Sequence, residues 1–252
     1  MARYNDLGEA FLRFYAELND FLSADRRQTE SIHFFDGRVS IKDMIESLGV
    51  PHTEVDLILV RSQSVDFSYI VQDGDRISVY PVFEAVDITP LVRVRPRPLR
   101  EVRFVLDTHL GKLATYLRLL GFDTLYRNDY NDEVLARVSV EEKRILLTRD
   151  RGLLKRGDIT HGYCVRATAP EQQLIEVIRR FDLGRGSAPF NRCLVCNSFL
   201  ESVSKEAVSK RLLPKVREHY DDFHICRACD HIYWKGSHYE RMAQFVNRVL
   251  QR

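Results

Sequence analysis

The chain has 252 residues, 44% hydrophobic and 29% charged, which gives room for one large domain or two to three small ones. No apolar run approaches the roughly 20 residues that span a bilayer. MARYNDLGEA at the N-terminus lacks a basic-then-apolar signal, so the expectation is a cytoplasmic protein, neither membrane-bound nor secreted. The net charge of +2 hides an asymmetry. Residues 1–90 hold 8 Lys+Arg against 16 Asp+Glu, residues 91–183 hold 18 against 13, and residues 184–252 hold 12 against 7. A basic two-thirds suits a polyanionic partner and an acidic first third would be repelled by it, which argues for a separate N-terminal domain.

Within that first third, Phe11–Tyr15 and Ile32–Phe35 read as strands, with Asp36-Gly37 as a turn. Ser40 is placed to cap a helix through Leu48, with Ile41, Met44, Ile45 and Leu48 on one face and Gly49 ending it. Leu57–Val60 and Arg76–Val82 are further strands, the latter after the turn Gln72-Asp73-Gly74-Asp75. Strands, one helix, then strands describe a small α+β domain. This order and the phrase VQDGDRISVYPV resemble the ubiquitin-like β-grasp proteins, particularly the sulfur carriers. The resemblance implies a free Gly-Gly tail, but here the last strand runs on through Phe83-Glu84-Ala85-Val86 with no glycine pair. Carrier chemistry therefore has no reactive end. A docking module for an unidentified protein partner, or a stabilising appendage, is left for residues 1–88.

Thr89–Arg100, TPLVRVRPRPLR, has three prolines and four arginines and reads as an extended linker. Its arginines could extend a nucleic-acid track or simply be solvated.

From Val102 the pattern changes. Val102–Leu106, Asp123–Arg127 and Arg144–Leu147 are short apolar runs of the kind buried in parallel sheets. Between the first two, Leu110, Leu113, Ala114, Leu117 and Leu120 recur at helical spacing, and Gly121 stops the helix. A further helix starts near Asp129 and Asp132. Strands joined through helices make a parallel sheet whose ligand site lies beyond the strand carboxyl ends. Those ends carry Asp107, Asp129 with Asp132, and Asp150. Carboxylates gathered on one rim repel each other unless a cation sits among them, and oxygen donors suit Mg²⁺ or Mn²⁺. The alternatives are local: Asp107 and Asp132 as helix N-caps, Asp150 as a turn former with Gly152. Arg149, Arg151, Lys155 and Arg156 add cations around the rim and point to a phosphate-bearing substrate, with Arg149 and Arg151 as the candidate contacts.

VLDTHLGKLATYLRLLGFDT, the downstream Asn-Asp and LLTRDRGLL resemble the PIN-like ribonuclease family named after the Mut-seven C-terminal domain. The resemblance spans roughly residues 100–250. It implies a metal-dependent RNase with RNA as substrate, and carries over Asp107, Asp132 or Asp129, and Asp150. No clean fourth acidic motif follows; Asp158 is the nearest candidate.

Gly162–Arg166 suggests a fourth strand, in which Cys164 is a small buried hydrophobe. Ala169–Phe181 reads as a helix, and GRGSAP at Gly184–Pro189 marks a joint. Beyond it, Cys193 and Cys196 form one CxxC and Cys226 and Cys229 another, 29 residues apart. Four thiolates complete a tetrahedral, closed and therefore structural Zn²⁺ site, and the interval leaves space for a helix over Ser204–Leu212. His224 and His231 lie close enough to substitute but are not needed. Tyr233, Trp234, Lys235, His238, Tyr239 and Arg241 interleave aromatics with cations, as base-stacking surfaces do, although the same rings could cover the small core of a zinc ribbon.

The expectation is an α/β protein: a β-grasp domain (1–88), a Pro/Arg linker (89–100), a PIN-like parallel-sheet RNase domain (101–183) and a zinc ribbon (184–252). The alternative function is a non-catalytic nucleic-acid-binding adaptor built on the same parts.

Overall fold

The structure, a computed structural model, describes residues 7–81, 94 and 102–251. In chain order it forms β1 (Gly8–Phe14), β2 (Glu30–Phe35), α1 (Ile41–Ser47), β3 (Leu57–Val60), β4 (Gln63–Val65) and β5 (Asp75–Tyr80). Then come β6 (Arg103–Leu106), α2 (Gly111–Leu119), β7 (Asp123–Tyr126), α3 (Asp132–Glu141), β8 (Ile145–Thr148), β9 (Gly162–Cys164) and α4 (Pro170–Arg180). The C-terminal part holds β10 (Glu201–Val203), α5 (Lys205–Val208), α6 (Pro214–His219), β11 (Phe223–Ile225), β12 (Ile232–Trp234) and α7 (Ser237–Leu250). The expected run-on through Phe83-Glu84-Ala85-Val86 lies outside the described residues, and so, Val94 aside, does the linker Thr89–Arg100. Among the described residues no helix is long and apolar enough to cross a membrane.

The N-terminal sheet has the order β2-β1-β5-β3-β4, with β1 parallel to β5 and the other neighbours antiparallel. Alternation puts Ala10, Leu12 and Phe14 of β1 and Ile77 and Val79 of β5 inside, and Ile41, Met44 and Ile45 of α1 are buried as well. Ser40 caps α1 as expected, accepting from the Asp43 N–H at 3.1 Å, and Gly49 leaves it at φ +103°. Asp75 is buried but satisfied: it accepts from Tyr69 Oη at 2.9 Å and Gln72 N at 2.8 Å and pairs with Arg61 at 3.2 Å. β4, three residues long, carries no sequence pattern that announced it.

The chain forms two compact units, Met1–Glu101 with Asn131–Cys164, and Val102–Tyr130 with Val165–Arg252. In the first, β8 runs parallel to β9, with Leu146 opposite Gly162. The N-terminal domain holds this segment through polar groups. Glu54, 1% exposed, accepts from the Cys164 N–H at 2.5 Å, and Lys155 Nζ donates to the Glu46 carbonyl at 2.7 Å. Arg151 places its guanidinium 4.8 Å over the Phe21 ring and donates to the Asp20 and Phe21 carbonyls.

In the second unit β6 and β7 are parallel, Arg103 opposite Asp123, and α2 connects them. Phe104, Val105 and Leu106 are buried, as a strand covered on both faces requires. Phe104 packs edge-on against Phe122 and Phe181, at 6.4 and 5.7 Å between ring centres. Gly121 ends α2 at φ +93°, and a Cβ there would collide with the Ala188 carbonyl. The expected helix over Ser204–Leu212 is shorter: α5 stops at Val208, and a 3-10 turn covers Ser209–Arg211. Leu213 precedes Pro214 and is extended, so the helix cannot run on. α7 was not anticipated; Val246 and Val249 are its buried face, and Phe245 lies 4.6 Å from Tyr116 of α2. The whole is mixed α/β, with a parallel sheet flanked by helices, a β-rich N-terminal domain and a cysteine cluster near the C-terminus.

Candidate functional site

The two CxxC turns are built alike. Cys193 N donates to Ser198 O and Asn197 N to Cys193 O; Cys226 N donates to His231 O and Asp230 N to Cys226 O. The residue after each second cysteine turns left-handed, Asn197 at φ +75° and Asp230 at +63°, as residues tolerant of that region do. The four sulfurs lie within 4.8 Å of one another, Cys193 to Cys229 at 3.4 Å and Cys196 to Cys226 at 3.3 Å. A tetrahedron with Zn–S bonds of about 2.3 Å has edges of roughly 3.8 Å, so the donor set fits zinc with small sulfur shifts. Burial, then the neighbouring sulfurs, push the Cys229 thiol up to about 12. Burial acts upward on Cys196 too, but hydrogen bonds from Ser198 and two other cysteines bring it down to about 6.

Outside the thiols, the Leu194 N–H donates to the Tyr233 hydroxyl at 3.2 Å, and that hydroxyl shares a hydrogen bond with Cys193 Sγ, 3.1 Å away. Arg118 of α2, 4% exposed, donates to the carbonyls of Leu194 at 3.1 Å, Val195 at 2.9 Å and Thr124 at 2.9 Å. Burial lowers its pKa, and the nearby Cys193, Cys196 and Asp123 oppose that. Asn197 accepts from Thr124 N and donates to Asp123, both at 2.9 Å. The first cysteine turn is thus fastened to β7 and α2 by buried hydrogen bonds. His231 Nδ1 is 3.9 Å from Cys229 Sγ and is not among the four clustered ligands.

The carboxylates differ in what surrounds them. Asp107, 8% exposed, closes β6, and Thr108 Oγ1 donates to it at 3.1 Å. It stands at the start of the Thr108–Leu110 turn without a side-chain capping bond. α3 is capped by Asn131, whose Oδ1 accepts from Val134 N at 2.9 Å; Asp132, the next residue, is exposed. Asp129 is exposed and held by both oxygens on Arg127, at 2.9 and 2.7 Å, and this hydrogen-bonded partner lowers its pKa. Asp150 does form the turn: its Oδ1 accepts from Gly152 N at 2.7 Å and Leu153 N at 3.3 Å. Asp158 is lowered by its hydrogen bonds to Arg156, at 3.3 and 3.2 Å. Asp107 and Asp129 belong to the second unit, Asp132 and Asp150 to the first. Arg149 is exposed, whereas Arg151, Lys155 and Arg156 are engaged locally by Phe21, Glu46 and Asp158.

A family model described as the Mut7-C RNAse domain matches residues 102–246, and one described as the Mut7-C ubiquitin domain matches residues 8–87. The chain belongs to the Mut7-C RNAse family. No curated protein and no solved structure matches it.

The Mut7-C RNAse match runs through both cysteine turns, in keeping with the bonds from Arg118 and Asn197 that tie them to α2 and β7. Sequence reasoning found the four thiols and missed the residues behind them. In sequence Tyr233 has the marks of a stacking or core ring, and Arg118 lies on a helix with no mark of its role. A cation 75 residues upstream of a cysteine turn gives no local signal.

Proposed function

We propose that the chain is a divalent-metal-dependent ribonuclease that hydrolyses RNA phosphodiesters. The observation that carries this reading is the Mut7-C RNAse match over a segment whose parallel strands end in Asp107 and Asp150. By the family resemblance Asp107, Asp132 and Asp150 would be the ligands of one or two Mg²⁺ or Mn²⁺ ions, carboxylate oxygens being the donors that hard cations take. Such an ion, when bound, acidifies a coordinated water and offsets charge on the phosphorus oxygens. The chain's own part is to place the carboxylates, and Arg149, exposed beside Asp150, to orient the phosphate. Asp129 is the weaker candidate for the second acidic position because Arg127 already takes both its oxygens. The cysteine cluster would hold one structural Zn²⁺.

The division into residues 1–88, 89–100, 101–183 and 184–252 is part of the same proposal, as is a cytoplasmic location, where thiols stay reduced for zinc. The alternative, a nucleic-acid-binding adaptor without turnover, draws on Asp158: the nearest fourth acidic residue is spent on Arg156. Cleavage of labelled RNA with and without Mg²⁺ or Mn²⁺, by wild type and Asp107→Asn, separates the two. Metal-dependent cleavage lost in the variant supports the nuclease; a folded, metal-supplied and inactive wild type supports the adaptor.

A further inference from the structure

We propose that the zinc ribbon carries a binding pocket for an unpaired nucleotide of single-stranded RNA, separate from the carboxylates. The inference rests on the RNase reading only for the choice of RNA as the polyanion. The pocket is a cavity of about 610 Å³ bordered by Lys215, His219, Tyr220, Trp234, His238 and Tyr239. That lies inside the roughly 300–1,000 Å³ range of small-ligand sites.

Its construction follows from the ribbon. Along β12 alternate side chains point to opposite faces. Tyr233 therefore turns to the cysteines, while Ile232 packs with Tyr220 on the core of Val208, Phe223 and Ile225. Trp234 shares the Ile232 side, opposite Phe223 in the antiparallel register, and extends past the core with 37% of its surface exposed. Gly236 keeps the floor open: a Cβ there would sit 3.0 Å from Trp234 Nε1 and 3.4 Å from Tyr220 Oη. The aromatic rings thus border a concave space where a purine or pyrimidine has π-faces to stack on.

The charges suit a phosphate. Lys215 and His219 lie four residues apart on α6, hence on one face. His219 Nδ1 is spent on the Lys215 carbonyl at 2.8 Å, which leaves the pocket its other ring nitrogen. His238 lies in the first turn of α7, whose N-cap, Gly236, offers no side-chain acceptor to the first backbone N–H groups. Among the described residues that border the cavity none is a carboxylate. Lys235 is left out, because Asp222 holds it at 2.6 Å. Residues 184–252 supply a wider field with 12 Lys+Arg against 7 Asp+Glu.

Trp234 is the only tryptophan of the chain and reports on the site directly. The zinc-loaded full-length protein, without added Mg²⁺ or Mn²⁺, is titrated with a uridine-rich single-stranded RNA and with a duplex of the same length. The expected result is saturable quenching of tryptophan fluorescence by the single strand and little by the duplex. Trp234→Ala and Lys215→Ser should each weaken single-strand binding, read by anisotropy, about tenfold, with Trp234→Phe close to wild type and zinc content unchanged in all. Should Trp234→Ala misfold, Lys215→Ser and the quenching contrast between single strand and duplex still decide the matter. Binding without a tryptophan response, equal quenching by duplex, or zinc-loaded Trp234→Ala and Lys215→Ser that bind like wild type would overturn the pocket. Because no cleavage is measured, failure of the nuclease reading leaves this result interpretable.

Discussion

His52 Nε2 lies 2.9 Å from the carbonyl oxygen of Ile159, 107 residues further along the chain. Its other ring nitrogen lies 2.6 Å from Glu46 Oε1, so one buried side chain joins α1 of the ubiquitin domain to the segment between β8 and β9. Glu54 on Cys164 N, Lys155 on Glu46 O and Arg151 on Phe21 repeat the connection on either side of it. Asp150 opens this same segment. The ubiquitin domain therefore acts as a brace on the loop that carries a candidate catalytic carboxylate.

Removing a brace residue should loosen that loop. His52→Ala leaves the Ile159 carbonyl without this donor, a loss of about 1–3 kcal/mol for a buried group. Glu54→Gln should act in the same direction at the Cys164 N–H. Urea unfolding measures the total, and hydrogen exchange over residues 150–164 should show faster opening there than in residues 102–126. Uniform exchange across both segments would argue that the contacts do not localise stability.

Gly121→Ala should be costly although it adds one methyl group. Its φ of +93° is strained for alanine, and the new Cβ meets backbone, the Ala188 carbonyl, which cannot rotate away. A loss of roughly 1–3 kcal/mol from the conformation alone is expected, seen as a lower melting temperature. Gly74→Ala has a positive φ with nothing within 4 Å and should cost less, which separates collision from strain.

Zinc content of protein purified without chelator should be about one per chain. Cys196→Ser or Cys226→Ser should release the metal and unfold the ribbon, since binding and folding are coupled in such modules. Tyr233→Phe keeps the ring but removes the hydroxyl that hydrogen-bonds Cys193 and accepts from Leu194 N. Loss of an outer-sphere partner of this kind typically lowers metal affinity about 10–100-fold. Competition with a chromophoric chelator reads that ratio, and an unchanged affinity would leave Tyr233 a packing residue only.

Local pattern made much of this legible. Ser40 and Gly49 bracket α1, apolar spacing marks α2, and the paired cysteines announce their cluster, because each signal sits within a few residues of its effect. The acidic first third read as a separate domain on charge, yet His52 and Ile159 or Arg118 and Val195 meet only after the chain has folded. The roles of the aspartates were undecided for a related reason. A carboxylate at a strand end can cap, turn or ligate, and only its neighbours choose: Asn131 takes the cap from Asp132, Arg127 takes Asp129, and Asp150 does form its turn. α7 is hard to read from sequence because Met242, Phe245, Val246 and Val249 are interleaved with aromatic and basic residues that equally suit a binding surface.

The nuclease reading predicts that Asp107→Asn and Asp150→Asn each abolish Mg²⁺- or Mn²⁺-dependent cleavage of RNA. Asparagine at 150 can still accept from Gly152 N and Leu153 N, so the turn is kept while a ligand charge is lost. Asparagine at 107 can still accept from Thr108 Oγ1, and an unfolding curve checks that the variant stays folded. Asp132→Asn should follow the same pattern, with α3 intact because Asn131 is its cap. Asp129→Asn is the contrasting case: its carboxylate is spent on Arg127 at an exposed surface, where water and salt screen such pairs, and activity should persist. Arg149→Ala should raise KM more than it lowers kcat, as a ground-state phosphate contact would. Cleavage that survives both EDTA and Asp107→Asn would sink the metal mechanism, and activity lost in Asp129→Asn but not in Asp132→Asn would move the second acidic position to Asp129.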